Sequence, residues 1–189
     1  MSDGGLFLVI NGWAGHVDAI DDLMEAISRF VPFLLIGLLF VAWFWPGDTM
    51  TRGQRQVGAI AAAIAAPLAM GVNQVIIRLW DRPRPFVSHH ATMLLAPSHD
   101  PSFPSDHATF GFAIAVALAI AAWRIGVVAL VLAALMAFAR VYTGEHYVTD
   151  VLGGLLVGGT FAVLATLLVG RMMWLIEPPL RLARRYHLA

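Results

Sequence analysis

Five long runs of apolar residues, separated by short polar segments, dominate the pattern of hydrophobic and polar positions along the chain. A helix needs roughly 20 mostly apolar residues to cross the hydrocarbon core of a bilayer. We expect five such helices, over residues 30–45, 57–80, 108–123, 125–142 and 151–169. The last run contains Gly154 and Gly158, a spacing of small residues that favours close helix packing in lipid. The pattern predicts an all-α fold, a polytopic transmembrane bundle.

The first 29 residues have a different pattern. Apolar side chains recur at helical spacing and the carboxylates lie off that stripe; the apolar positions are Ile10, Trp13, Val17, Ile20, Met24 and Ile27. We expect an amphipathic helix that lies at the interface or packs on the bundle. A sixth crossing there would bury several carboxylates. The whole of 1–189 is then one domain, with this helix over 1–29, the bundle over 30–176 and a cytoplasmic tail over 177–189.

Composition narrows the class of protein. Hydrophobic residues make up 59% of the 189 residues and charged residues 13%, whereas ordinary soluble domains are about 45–50% apolar and about 25% charged. This balance excludes a disordered chain and favours an integral membrane protein over a soluble enzyme. A formal net charge of +0 offers no basic stripe for nucleic acid. The absence of cysteine excludes disulfides, thiolate catalysis and Cys-ligated metals.

The arginines predict the orientation in the membrane. Positive residues concentrate on the cytoplasmic side of membrane proteins. Seven arginines fall at one end of the predicted bundle: Arg52, Arg55, Arg124, Arg171, Arg181, Arg184 and Arg185. The loops over 81–104 and 143–150 then face outside. Arginines also lie in or beside these loops, and their presence on this side needs a separate explanation.

Ionisable residues gather around these outer loops. Such residues at a membrane boundary are costly and indicate a functional site. His146 and Asp150 are four residues apart, so on a helix they share a face, and a carboxylate on one imidazole nitrogen leaves the other free to attack. A second imidazole, His107, can donate a proton to a leaving oxygen. Arg84 and Arg140 offer planar forks that suit phosphate oxygens.

The start of the third span adds further phosphate ligands. Ser105 provides a hydroxyl, and the first turn of the helix provides free N–H groups at its positive end. Two guanidinium groups, a nucleophilic histidine and an acidic histidine form a set suited to phosphoryl transfer without a metal.

These residues resemble a known signature. The pattern Arg84-Pro85, Pro104-Ser105-x-His107 and Arg140-x5-His146-x3-Asp150 is similar to the three-part motif of the type 2 phosphatidic acid phosphatases, a superfamily shared with the vanadium haloperoxidases. More narrowly, segments 82–87, 103–107 and 144–153 resemble the bacterial undecaprenyl pyrophosphate phosphatases of the bacitracin-resistance type.

The resemblance implies an activity, a location and a set of roles. The activity would be hydrolysis of undecaprenyl pyrophosphate, a prenyl pyrophosphate lipid, on the outer face of the bacterial cytoplasmic membrane, which recycles the carrier lipid of cell-wall synthesis. His146 would form a phosphohistidine and Asp150 would orient it. His107 would protonate the leaving group and then activate water. The phosphate cradle would comprise Arg84, Arg140, Ser105 and the backbone N–H of Asp106. The family needs no metal or other cofactor.

Three positions depart from the general family pattern. The lysine that usually begins the first motif is Ile77 here; Arg78, one position later, would replace it as a phosphate ligand or extend to the membrane interface. The serine that usually precedes the arginine of the third motif is Ala139. Asp106 stands where many members have glycine, and an aspartate there is common in the undecaprenyl subgroup.

Several alternatives remain open at the level of sequence. Arg82 would contact either the phosphate or a lipid head group, and Glu145 is expected to be solvated. The three histidines His89, His90 and His99 are the only candidates for a metal site, which we do not expect. The lipid could instead be phosphatidylglycerol phosphate, phosphatidic acid or lipid A. Further alternatives are a haloperoxidase and a non-enzymatic membrane protein, either a transporter or an assembly subunit. A transporter would need polar residues in mid-span, and Asn73 and Gln74 are the few candidates. The sequence gives no oligomeric state.

Overall fold

The computed structural model describes residues 2–46 and 49–186, and over these ranges the chain folds into eight helices. The helices are α1 (Asp3–Asn11), α2 (Asp18–Phe44), α3 (Thr49–Leu79), α4 (Pro85–Ser88), α5 (Asp106–Ala121), α6 (Trp123–Tyr142), α7 (Val148–Arg171) and α8 (Met173–Arg185). The prediction of an all-α membrane bundle with an N-terminal helix is confirmed. Four helices, α2, α3, α6 and α7, are long and apolar enough to cross a membrane.

Helix α5 is the third of the five predicted spans and differs from the others in length. Its 16 residues rise about 24 Å, less than the hydrocarbon core. It lies at the centre of the bundle, where α3, α6 and α7 all pack against it. Because protein surrounds it on most sides, its ends need not reach the lipid interface by themselves.

Close contact between α5 and α7 depends on two glycines. A Cβ added at Gly154 would lie 2.7 Å from the Cβ of Ala108 and 2.8 Å from the carbonyl oxygen of Ser105. At Gly158 it would overlap the carbonyl oxygen of Thr109. The close packing predicted from this spacing is therefore present, and it brings the beginnings of α5 and α7 together.

The N-terminal segment differs from the prediction in its boundaries. Helix α1 ends at Asn11, and the turn after it includes Gly15 at φ +80°, a backbone conformation that favours glycine. Helix α2 then runs from Asp18 to Phe44 without a break at residue 29. The expected amphipathic helix over 1–29 is thus divided, and its second half forms the beginning of the first membrane helix.

Candidate active site

A cavity of about 250 Å³ lies where the end of α3 and the beginning of α5 meet the end of α6 and the turn before α7. Its ionisable lining residues are Arg84, Asp100, Asp106, His107, Arg140, Glu145 and His146. They come from three separate parts of the sequence, and five of them belong to the predicted site. The structure therefore brings the three motifs to one cavity.

His146 lies in the turn between α6 and α7 and is buried, at 3% exposure. Its Nδ1 is 2.9 Å from the carbonyl oxygen of Ser102. A carbonyl only accepts hydrogen bonds, so Nδ1 carries the proton and Nε2 keeps its lone pair. Burial lowers the pKa of His146 from 6.5 to about 4, so the ring is neutral at physiological pH. A neutral ring with a free Nε2 is the form that can attack phosphorus.

Asp150 is fully buried in the first turn of α7 and accepts three hydrogen bonds. Its Oδ2 accepts from the Ser102 hydroxyl at 2.5 Å and from the Tyr147 N–H at 2.8 Å, and its Oδ1 accepts from Arg82 at 2.6 Å. The distance from Asp150 Oδ2 to His146 Nδ1 is 3.7 Å, longer than a hydrogen bond. Ser102 therefore connects the two residues, its hydroxyl to the carboxylate and its carbonyl to the imidazole.

Arg84 and Arg140 enter the cavity from different elements, and both bind the carboxylate of Glu145. Glu145 Oε2 lies 2.6 Å from Arg84 Nη1 and 3.3 Å from Arg140 Nη2. Arg84 also donates from Nε to the carbonyl oxygen of Asp100 at 2.8 Å, which fixes its guanidinium plane. Glu145 is 1% exposed. The expectation that Glu145 is solvated is therefore wrong, because two cations from distant parts of the chain converge on it.

The beginning of α5 supplies further polar groups. Ser105 precedes the helix and is fully buried, and its N–H donates to the carbonyl oxygen of Asp150 at 3.0 Å. The Ser105 side chain makes no capping hydrogen bond, so the first-turn amides remain available to an anion. Asn73 holds the Asp106 carboxylate at 2.8 Å and Gln74 lies 3.5 Å from it. These two amides of α3 therefore serve the site, which leaves the transporter alternative without support.

Two arginines of the outer region lie elsewhere than expected. Ile77 lines the cavity, whereas Arg78 is exposed and is not one of its lining residues, so the structure does not bring Arg78 to the phosphate cradle. Arg82 does not line the cavity, and its charged end contacts protein side chains. It pairs with Asp3 at 2.5 Å and with Asp150 at 2.6 Å, and its guanidinium lies 4.4 Å from the centre of the Tyr147 ring.

The loop histidines do not assemble as ligands. His89 packs against the rings of Phe7 and Tyr147, with centroids 6.2 Å and 5.9 Å away. In the part of the chain that the structure describes, no three His, Asp or Glu side chains are placed to share a metal ion.

The turn that carries Glu145 and His146 depends on Gly144. Gly144 adopts φ +90°, and a Cβ there would lie 2.7 Å from the sulfur of Met93 and 2.8 Å from the carbonyl oxygen of Thr92. The backbone thus turns sharply after α6 beneath the proline-rich loop, which orients the two following side chains towards the cavity.

Comparison with known proteins agrees with this geometry. Residues 56–174, which contain all three motifs, match the family model of the PAP2 superfamily. The chain belongs to the PAP2 superfamily. Undecaprenyl-diphosphatase BcrC of Bacillus subtilis is 31% identical over 173 residues, which cover 92% of this chain and 85% of that protein. The predicted membership of the type 2 phosphatidic acid phosphatase superfamily is confirmed.

Two further relatives of this PAP2 protein extend the comparison. An undecaprenyl-diphosphatase of Sulfolobus acidocaldarius is 32% identical over 171 residues, covering 85% of this chain and 75% of that protein. The crystal structure of Aquifex aeolicus LpxE superposes with a TM-score of 0.65 at 21% identity, covering 85% of this chain and 92% of that one. The second likeness shows that the two proteins share the fold.

Proposed function

We propose that this PAP2 protein hydrolyses undecaprenyl diphosphate to undecaprenyl phosphate and inorganic phosphate. The observation that carries the proposal is the buried, neutral His146, whose Nε2 is free and whose cavity also contains His107 and two arginines. The choice of lipid is supported by the names of relatives at 31% and 32% identity. The concentration of arginines at the opposite end of the bundle supports a site on the outer face of a bacterial cytoplasmic membrane.

The proposed first step transfers the terminal phosphoryl group to the protein. His146 Nε2 attacks the terminal phosphorus, and the bond between that phosphorus and the bridging oxygen breaks. Undecaprenyl phosphate leaves, and its new terminal oxygen takes a proton from His107. Arg84, Arg140, the Ser105 hydroxyl and the first-turn amides of α5 neutralise the charge on the phosphoryl oxygens. Ser102 and Asp150 hold the imidazole and stabilise its positive charge.

The proposed second step restores the free enzyme. Water attacks the phosphorus of the phosphohistidine while His107 accepts one of its protons, and the bond from phosphorus to Nε2 breaks. Inorganic phosphate is released. His107 thus gives up a proton in the first step and regains one from water in the second.

The test measures phosphate release from undecaprenyl diphosphate by the purified protein in detergent with EDTA. His146→Ala is expected to lower the rate by at least about a thousandfold, because the attacking nitrogen is lost. His99→Ala, which removes an exposed histidine of the outer loop, is the matched control and is expected to retain full activity. A quench with radiolabelled terminal phosphate should leave base-stable, acid-labile label on the wild type and none on His146→Ala.

Three outcomes would contradict parts of the proposal. Hydrolysis that survives in His146→Ala would exclude this nucleophile. Loss of activity in EDTA would require a metal. If the wild type did not hydrolyse undecaprenyl diphosphate but did hydrolyse phosphatidylglycerol phosphate, the proposed mechanism would stand and the proposed substrate would be wrong.

A further inference from the structure

Glu145 is a carboxylate in a place built for an anion. It follows Gly144 and directly precedes His146, and it lines the same cavity. Its Oε2 occupies donors of both guanidinium groups that the proposed phosphate cradle contains, at 2.6 Å and 3.3 Å. An incoming phosphoryl group would need the same donors. Glu145 and the phosphate are therefore competitors for one set of cations.

Unused hydrogen-bonding atoms surround this carboxylate. Glu145 Oε1, Arg140 Nε and the Ser105 hydroxyl are buried and have no hydrogen-bond partner among the described residues. Buried polar atoms are costly when unpartnered. Glu145 therefore fills the cradle only partly, and Arg140, which lines the cavity, keeps an unpartnered Nε that can donate to a phosphate oxygen.

We propose that Glu145 is an internal competitor that weakens binding of the inorganic phosphate product. This inference rests on the proposed function. The carboxylate binds the two arginines when the cavity is empty, yields them to the substrate, and regains them as phosphate leaves. The lipid substrate is also held by its apolar tail, whereas inorganic phosphate is held by the cradle alone. Competition at the cradle lowers the affinity for both ligands, and inorganic phosphate has no tail to compensate for the loss.

A purely structural Glu145 would behave in the opposite way. If its only role were to hold Arg84 and Arg140 in position, its loss would disorder the cradle and weaken phosphate binding. If it competes with phosphate, removal of its charge strengthens phosphate binding, because a like charge leaves the site and two guanidinium groups gain free donors. The direction of the change in phosphate affinity separates the two roles.

The experiment compares wild type with Glu145→Gln, which keeps the shape of the side chain and removes its charge. Titration calorimetry with inorganic phosphate in detergent measures the dissociation constant without turnover. The constant is expected to fall by about tenfold in Glu145→Gln. The KM for the lipid is expected to fall as well. Asp22→Asn, which removes one exposed carboxylate from α2, is the matched control and should bind phosphate as the wild type does.

A second variant covers the case in which Glu145→Gln does not fold. Glu145→Asp keeps the charge and withdraws it by one methylene, so the dissociation constant for phosphate should fall by about threefold. A phosphate affinity that is unchanged or weaker in the folded variants overturns the inference. A different result would contradict the proposed function, namely absence of lipid hydrolysis by the wild type.

Discussion

Ser102 contacts both the carboxylate of Asp150 and the imidazole of His146. Its carbonyl oxygen lies 2.9 Å from His146 Nδ1, and its hydroxyl lies 2.5 Å from Asp150 Oδ2. The carbonyl fixes the tautomer, and the hydroxyl ties the backbone that carries this carbonyl to the beginning of α7. We therefore expect Ser102 to be a positioning residue, which acts through His146.

Ser102→Ala should lower kcat by about tenfold and leave KM within about twofold. The carbonyl remains, but without the hydroxyl tether the imidazole samples more orientations, and Asp150 Oδ2 keeps only the Tyr147 N–H. Steady-state hydrolysis of undecaprenyl diphosphate measures both constants. Ser88→Ala, at an exposed serine of α4, is the control. An equal rise in KM, or no change in kcat, would contradict the positioning role.

The sequence predicted most of the candidate site, and the reason is spacing. Arg84, Asp106, His107, Arg140 and His146 all line the cavity because each belongs to a motif whose spacing encodes the geometry. The positions of Ser102 and Glu145 could not be predicted in this way. Ser102 contacts Asp150, 48 positions away, and Glu145 contacts Arg84, 61 positions away, so only the folded chain reveals these two contacts. Arg78 does not line the cavity, since one residue along α3 from Ile77 turns a side chain about 100° away.

At the scale of elements, α1 is attached to the outer face of the site at both of its ends. Asp3 pairs with Arg82 at 2.5 Å and accepts from Thr149 of α7. At the other end, the buried Asn11 side chain donates to the carbonyl oxygens of Thr92 and Tyr142, each at 2.8 Å. Helix α1 thus links α7 to the proline-rich loop and to the end of α6.

Asp3→Asn should loosen the first end of α1 and leave the second in place. Partial burial acts to raise the pKa of Asp3, but hydrogen bonds from Thr149 and Arg82 outweigh it and lower the pKa. The attachment is therefore present where Asp3 is ionised and is lost as the pH falls through its lowered pKa. Hydrogen exchange measured at neutral pH should be about tenfold faster over 3–7 in the variant and unchanged over 8–11.

The control for this change is again Asp22→Asn, since Asp22 is exposed on α2. Uniformly faster exchange across the bundle would mean that Asp3 supports global stability and not the local attachment. Unchanged exchange over 3–7 would mean that the ion pair contributes nothing measurable, as many exposed pairs do.

The helix boundaries show where apolar periodicity is informative. The helix that ends at Ala121 and the helix that follows it were predicted to within two residues, with the break expected at Arg124 and found at Ala122, whereas α2 and α3 begin several residues before their predicted spans. The N-terminal stripe was assigned to one helix because its apolar residues keep helical spacing across the turn. Helix α2 extends to Asp18 because the carboxylate of Asp21, in its first turn, accepts a hydrogen bond from the Tyr142 hydroxyl at 2.7 Å. The two residues are 121 positions apart in the sequence.

At the scale of the whole molecule, charge divides the bundle into two ends. The site cavity, α1 and the loop between α3 and α5 lie at one end. At the other end lie Arg55 in the first turns of α3, Arg124 at the beginning of α6 and Arg181 in α8. Because arginine excess marks the cytoplasmic side, the cavity should face outside the cytoplasmic membrane. A diphosphate head group that appears there would reach His146 without crossing the bilayer.

This orientation can be measured directly because the chain contains no cysteine. His99→Cys places one exposed thiol beside the cavity, and Arg124→Cys places one at the opposite end, after α5. In intact bacterial cells, a membrane-impermeant maleimide should label His99→Cys and spare Arg124→Cys, and permeabilised cells should label both. The reverse pattern would put His146 on the cytoplasmic side. The substrate would then have to be a lipid whose phosphate is exposed to the cytoplasm, and recycling of the carrier lipid at the outer face would be excluded.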